Sequence, residues 1–252
     1  MREAIDKSQR HAAVLVGIMY LLALPLAIFA EFYVPNQLAA AASVDTAQNI
    51  VAHERLFRMG IAANAIVFAL DAILITGLYV ILSRVSNPLA LLAAMWRLIE
   101  TVILATTAAS DLTILKILGR AEYMQVFGAG QLQALVRLLI GAHGTAYSIG
   151  LFFFGLGGTL FGCLWFHSRY VPRTLAAFGV FASAIVAVRS GGIVVFPEMA
   201  VLPTAAWAGP IFIFELAMGL WLVIEGLRAT PPATDEHYPP GTSAPSRQGF
   251  AS

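Results

Sequence analysis

The chain has 252 residues, of which 59% are apolar and 12% charged, and its mean hydropathy is +0.80. A soluble globular chain carries roughly 45–50% apolar and about 25% charged residues, so this composition belongs to an integral membrane protein whose first partner is the lipid bilayer. The balance of 15 Lys and Arg against 14 Asp and Glu leaves no basic excess for phosphates, which excludes nucleic acid, and the single cysteine, Cys163, excludes a disulfide framework and a Cys-based metal site.

A hydrocarbon core of about 30 Å takes about 20 apolar residues in a helix. Six runs reach that length, which predicts an all-α, six-span transmembrane helical bundle over residues 1–228 with a disordered C-terminal tail. The first span, about 12–32, follows Arg2, Lys7 and Arg10. It starts like a secretory signal, but its apolar stretch exceeds the roughly 7–15 residues of such a signal and Ala27-Ile28-Phe29-Ala30 is a poor cleavage pattern, so an uncleaved anchor helix is expected. Residues 33–57 turn polar and read as a loop with room for a short interfacial helix. The second span, about 59–82, closes at Ser83-Arg84-Val85-Ser86-Asn87-Pro88, where proline cannot continue a helix. The third, about 89–114, contains Trp96-Arg97-Leu98-Ile99-Glu100 and Asp111. Residues 115–140 scatter Lys116, Arg120, Glu122 and Arg137 among apolar positions, the pattern of an amphipathic helix lying at the interface rather than a span. Spans four, five and six follow at about 143–166, 175–196 and 206–227, joined by connections too short to hold a domain. The tail, 229–252, is rich in Pro, Ser, Thr and Gly and cannot bury enough apolar surface to offset its ordering entropy.

Orientation follows from the basic residues of alternate segments. With a cytoplasmic N-terminus the inside segments hold eight (Arg2, Lys7, Arg10, Arg84, Arg169, Arg173, Arg228, Arg247) and the outside segments five (Arg55, Arg58, Lys116, Arg120, Arg137). Both termini and the tail are therefore expected in the cytoplasm.

A charge at a lipid-facing helix centre costs about 2.5–3.5 kcal/mol, so charges at membrane depth normally face the bundle interior. At about 1.5 Å per residue, Asp71, Glu100 and Glu215 lie about 16–18 Å deep, Arg97 about 12 Å and Arg189 about 21 Å. Arg97 and Glu100 are three apart and share a helical face, as do Asn64 and Asp71 at a spacing of seven. These five groups form a candidate polar pocket, with Arg58 and Asn64 as secondary candidates. Three acids against two arginines leave one carboxyl without a cationic partner, the kind of group that exchanges protons in a transporter or serves as an acid in catalysis. A fixed salt-bridge network that holds the helices in register is the structural alternative.

His143 and His167 lie near opposite ends of span four, more than about 30 Å apart, so they cannot be two axial ligands of one haem. No His-x-x-x-His or Glu-x-x-His pair supports a metal, and no cofactor is expected. In Gly155-Leu156-Gly157-Gly158-Thr159-Leu160-Phe161-Gly162 the dinucleotide fingerprint fails because its third glycine falls on Leu160, whereas Gly158 and Gly162 form a G-x-x-x-G step for close helix packing. No Gly-x-Ser-x-Gly elbow or assigned base supports nucleophilic catalysis.

Glu54-Arg55-Leu56-Phe57-Arg58-Met59-Gly60, Trp96-Arg97-Leu98-Ile99-Glu100, the stretch from Phe153-Phe154-Gly155 to Arg169-Tyr170-Val171-Pro172-Arg173, and Phe214-Glu215-Leu216 with Gly219-Leu220-Trp221-Leu222 occur in that order. Together they resemble the bacterial membrane family catalogued as domain of unknown function 4386, over most of the chain from about His11 to Arg228. The resemblance implies a six-span, multi-pass protein of the bacterial inner membrane and draws attention to Arg58, Arg97, Glu100 and Glu215. It supplies no activity or ligand. Three readings stay open: a small solute or proton bound or translocated in the polar pocket, a structural or accessory membrane protein with fixed buried pairs, and an intramembrane enzyme acting on a lipid.

Overall fold

The computed structural model describes residues 6–40, 46–119, 123 and 126–228; the tail expected to be disordered, together with Arg2, Arg120 and Glu122, lies outside the described residues. Helix α1 (Lys7–Ile28) runs through a π-helical turn, Phe29–Tyr33, into α2 (Val34–Ala40). Helices α3 (Thr46–Ala52), α4 (Glu54–Leu82), α5 (Asn87–Gly119), α6 (Ala129–Ser168) and α7 (Arg173–Gly192) follow. A 3-10 turn, Pro197–Val201, leads to the short α8 (Thr204–Trp207) and then to α9 (Gly209–Ile224). All regular elements among the described residues are helical.

Five stretches are long and apolar enough to cross a membrane: Lys7–Leu38, Glu54–Leu82, Asn87–Gly119, Gly130–Ser168 and Arg173–Gly192. The expected sixth span becomes a shorter apolar helix. Pro203 caps the start of α8 and Pro210 lies in the first turn of α9, so the run 206–227 is divided between α8 and α9, and the 16 residues of α9 extend only about 24 Å. Large apolar side chains such as Leu15, Ile18 and Leu22 on α1, or Leu98 and Val102 on α5, point outward. Arg97, Glu100 and Asp71 are buried. Apolar side chains turned outward and charged ones turned inward are what lipid as a solvent selects.

Residues 115–140 depart from the expected interfacial helix. Helix α5 continues to Gly119 and α6 starts at Ala129, so the segment supplies the two tips of one antiparallel hairpin. With 33 and 40 residues, these helices are about 50 and 60 Å long, well beyond the hydrocarbon thickness. Their projecting tips bury Ile114, Leu115, Leu132 and Val136 against Val34, Leu38 and Ile50 from α2 and α3, forming a second small core. The charges of this segment read as amphipathic because one side of each tip packs in that core.

Contacts between helix ends define the two ends of the bundle. Nε2 of Gln9 donates to the carbonyl of Ile81 at 3.1 Å, which sets the start of α1 beside the end of α4. Gly17 meets the carbonyl of Gly219 and the side chain of Val223, whereas Gly219 meets Tyr20 and Leu21, so α1 and α9 run antiparallel. The backbone N–H of Arg228 donates to Tyr170 at 2.8 Å, between α6 and α7. The first and last described residues thus lie at the same end, here called proximal.

Glycines decide how closely α6 approaches its neighbours. A Cβ on Gly158 would stand 2.6 Å from Oγ of Ser183, and one on Gly162 would stand 2.8 Å from Cγ2 and 3.0 Å from the backbone N of Val180, both on α7. Gly150 and Gly157 face Leu104 and Arg97 on α5 instead. Gly162→Leu is therefore expected to cost about 1–3 kcal/mol through overpacking against backbone that cannot yield. Gly144→Leu, where a Cβ meets nothing within 4 Å, is the control. Thermal unfolding of both variants in detergent checks the difference.

Candidate functional site

Arg97 is the centre from which the site is built. It projects from the first third of α5, 5% exposed, and lies between two carboxylates. Its Nη2 is 3.4 Å from Oδ1 of Asp71 on α4, and its Nη1 is 3.3 Å from Oε2 of Glu100, one turn along its own helix. The guanidinium also lies over the ring of Phe154 on α6, 4.1 Å from its centroid. Gly157 permits this placement, since a Cβ there would stand 2.7 Å from Cγ of Arg97. A planar cation stacked on an aromatic face while paired at its edge is stabilised from two directions without water.

A cavity of about 100 Å³ opens beside this cluster, lined by residues of α1, of α4 to α9 and of the π turn. Its charged lining comprises Glu31, Asp71, Glu100, Glu215 and Arg97. Four carboxyls therefore face one guanidinium. The remaining wall is largely aromatic or aliphatic, with Tyr20, Phe68, Tyr147, Phe154 and Trp207 among its members. Glu100 is 2% exposed, and its Oε2 has no hydrogen-bond partner despite the nearby guanidinium. A buried carboxylate oxygen in that condition is costly to maintain and is available to a cation entering the cavity.

The five residues selected by depth are not equally placed. Asp71, Arg97, Glu100 and Glu215 line the one cavity, and so does Asn64. Arg189 is absent from the lining. It lies three residues from the end of α7 and stacks on Trp207 at 4.3 Å from the ring centroid, with Nε buried and lacking a hydrogen-bond partner. Depth along a helix cannot report the direction in which a side chain leaves it, which is why Arg189 reads as central in sequence and stands behind the wall in space. Arg58 pairs with Glu54 at 2.6 Å on the exposed first turn of α4 and does not line the cavity. Gly158 and Gly162 occupy the contact between α6 and α7 described above and also border a smaller recess of about 20 Å³ beside Glu215.

Sequence reasoning missed Glu31 and undervalued His143. Glu31 falls on the last turn of the first expected span, where an acid reads as a boundary residue. The π turn that carries it adds a residue to the helix and turns the carboxylate inward, where Nδ2 of Asn64 donates to Oε1 at 2.6 Å. His143 then bridges Glu31 and Asp111. The available signal was an acid within a predicted span, the same criterion that selected Asp71. Among the described residues no group of three His, Cys, Asp or Glu is arranged to hold a metal ion.

Residues 15–226 match the family model described as Domain of unknown function (DUF4386), and the chain belongs to that family. No curated protein and no solved structure matches it.

Proposed function

We propose that this member of the family is a multi-pass inner-membrane protein, with both termini cytoplasmic and α9 completing a sixth crossing, that binds a small cationic solute or a proton in the cavity around Arg97 and carries it across the bilayer. The observation that carries this reading is the charge imbalance of the cavity: Asp71, Glu100 and Glu215 against Arg97 alone, with Glu31 beside them held by Asn64 and His143. A fixed structural network tends towards balance, because each unpaired buried charge is paid for in desolvation. An excess of carboxyls beside aromatic rings instead suits a protonated amine, which gains from both the charges and the ring faces.

The volume limits the occupant to a few heavy atoms or a short chain of waters. Titration of methylammonium or guanidinium into the full chain in lipid nanodiscs, followed by calorimetry, tests the binding step. Saturable heat for either ion, lost in Glu215→Gln, is the expected result. Absence of saturable binding, with a Glu215→Gln variant that loses stability, returns the charges to a packing role.

A further inference from the structure

The cavity does not account for a second polar chain that leads away from it. Nδ1 of His143 lies 3.1 Å from Oδ1 of Asp111 on α5, and Nε2 lies 3.6 Å from Oε2 of Glu31 on the π turn. Glu31 is held by Asn64 on α4, and both line the cavity. Tyr147, one turn along α6, stacks with the imidazole at 6.3 Å between centroids and lines the cavity as well. Glu31, Asp111 and Tyr147 are thus the titratable groups that meet His143 from the π turn, α5 and its own helix.

The position of this chain matters as much as its contacts. Counting about 1.5 Å per residue along α6, His143 stands about 37 Å from the proximal end at Ser168, more than a hydrocarbon thickness. It therefore lies towards the distal end of the bundle, with its side chain 21% exposed, whereas that of Glu100 is 2% exposed. Asn64 and Asp71 are two turns apart on α4, about 10 Å. The cavity spans that interval and is large enough for a bridging chain of waters.

We propose that Asp111, His143 and Glu31 form a proton relay that connects the distal surface with the cavity carboxylates. An imidazole can take a proton at one nitrogen and release another from the second. A proton held on Asp111 passes to Nδ1 while the Nε2–H bond breaks and its proton goes to Oε2 of Glu31. One proton enters and one leaves, and the ring resets by exchange to the other tautomer. Closing the 3.6 Å separation to hydrogen-bond length needs a shift of about half an ångström. Onward transfer runs through cavity water to Asp71 or Glu100. The relay rests on the cavity being the site of ion binding.

The test uses the full chain in liposomes, with a potassium gradient and valinomycin driving protons and an enclosed pyranine dye reading them. Wild type should conduct above protein-free liposomes, and His143→Gln and Asp111→Asn should each lower the rate about tenfold or more. Added imidazole should restore His143→Ala, a rescue that a purely structural histidine would not show. Thermal unfolding of each variant identifies loss of fold, and His143→Asn serves in place of any variant that fails to fold. Unchanged flux in His143→Gln, no flux in wild type, or a loss in His143→Ala that imidazole leaves untouched each overturns the relay. Methylammonium binding that persists when the relay fails leaves the cavity reading standing, whereas proton flux without methylammonium or guanidinium binding removes the solute and keeps the relay.

Discussion

Arg97→Leu is expected to destabilise the protein by about 3–5 kcal/mol, the range for removing one partner of a buried ion pair. The loss has two sources. Asp71 and Glu100 would be left as adjacent buried carboxylates with no cation between them, and the ring of Phe154 would lose the guanidinium stacked 4.1 Å from its centroid. The hole would not close readily, because Gly157 approaches α5 to accommodate the Arg97 side chain and offers nothing to fill its place. Adding Asp71→Asn and Glu100→Gln to Arg97→Leu should recover most of the stability, since neutral amides do not need the missing charge. Denaturant titration in mixed micelles measures both. A single variant as stable as wild type would show that the two carboxylates are not held by Arg97.

Glu100→Gln should have the opposite balance of effects. Its Oε2 is buried without a hydrogen-bond partner, a condition worth about 1–3 kcal/mol against the native state. An amide oxygen can keep facing Arg97 while one carboxylate of the cavity's acidic excess is removed. The unfolding temperature is therefore expected to stay level or rise, while affinity for methylammonium or guanidinium falls about tenfold or more, which corresponds to about 1.4 kcal/mol. A variant that gains stability as it loses binding identifies a group retained for function. If binding is unchanged, the unpaired oxygen does not contact the ion. Calorimetry and thermal unfolding on the same preparation separate these outcomes.

Much of the fold was legible from the sequence because lipid imposes strong rules on composition. A run of apolar residues long enough to cross the core must be helical, since no water is present to satisfy a broken backbone. The end of α4 and the start of α5 fall at the turn before Asn87-Pro88 and the start of α7 falls at Pro172-Arg173, whereas α4 starts at Glu54, α5 ends at Gly119 and α7 ends at Gly192, away from the expected bounds. Two places have more structure than those rules convey. The run 206–227 has the length of a span but is divided at Ala208 between two helices, and residues 115–140 owe their mixed pattern to packing at the hairpin tips.

The site was legible as a set of depths. Asp71, Glu100 and Arg97 could be selected because charges at the middle of apolar runs must find partners inside the bundle. Pairing could be read only within a helix, as for Arg97 with Glu100. The contact of Arg97 with Asp71, and those of His143 with Asp111 and Glu31, join residues on different elements. Glu31 depends further on a π turn, for which the amino-acid pattern carries no clear mark.

Residue composition and charge spacing alone established the solvent, the helical class and which side chains could not face acyl chains, because transfer free energies act residue by residue. Tertiary structure decided that four of the five deep charges share a cavity, that Arg189 turns to Trp207, and that a histidine at the rim joins the network through Glu31. Those outcomes depend on helix rotation and on the closeness of approach set by glycines such as Gly157 and Gly162. Rotation and approach are properties of pairs of helices, and no single helix contains them.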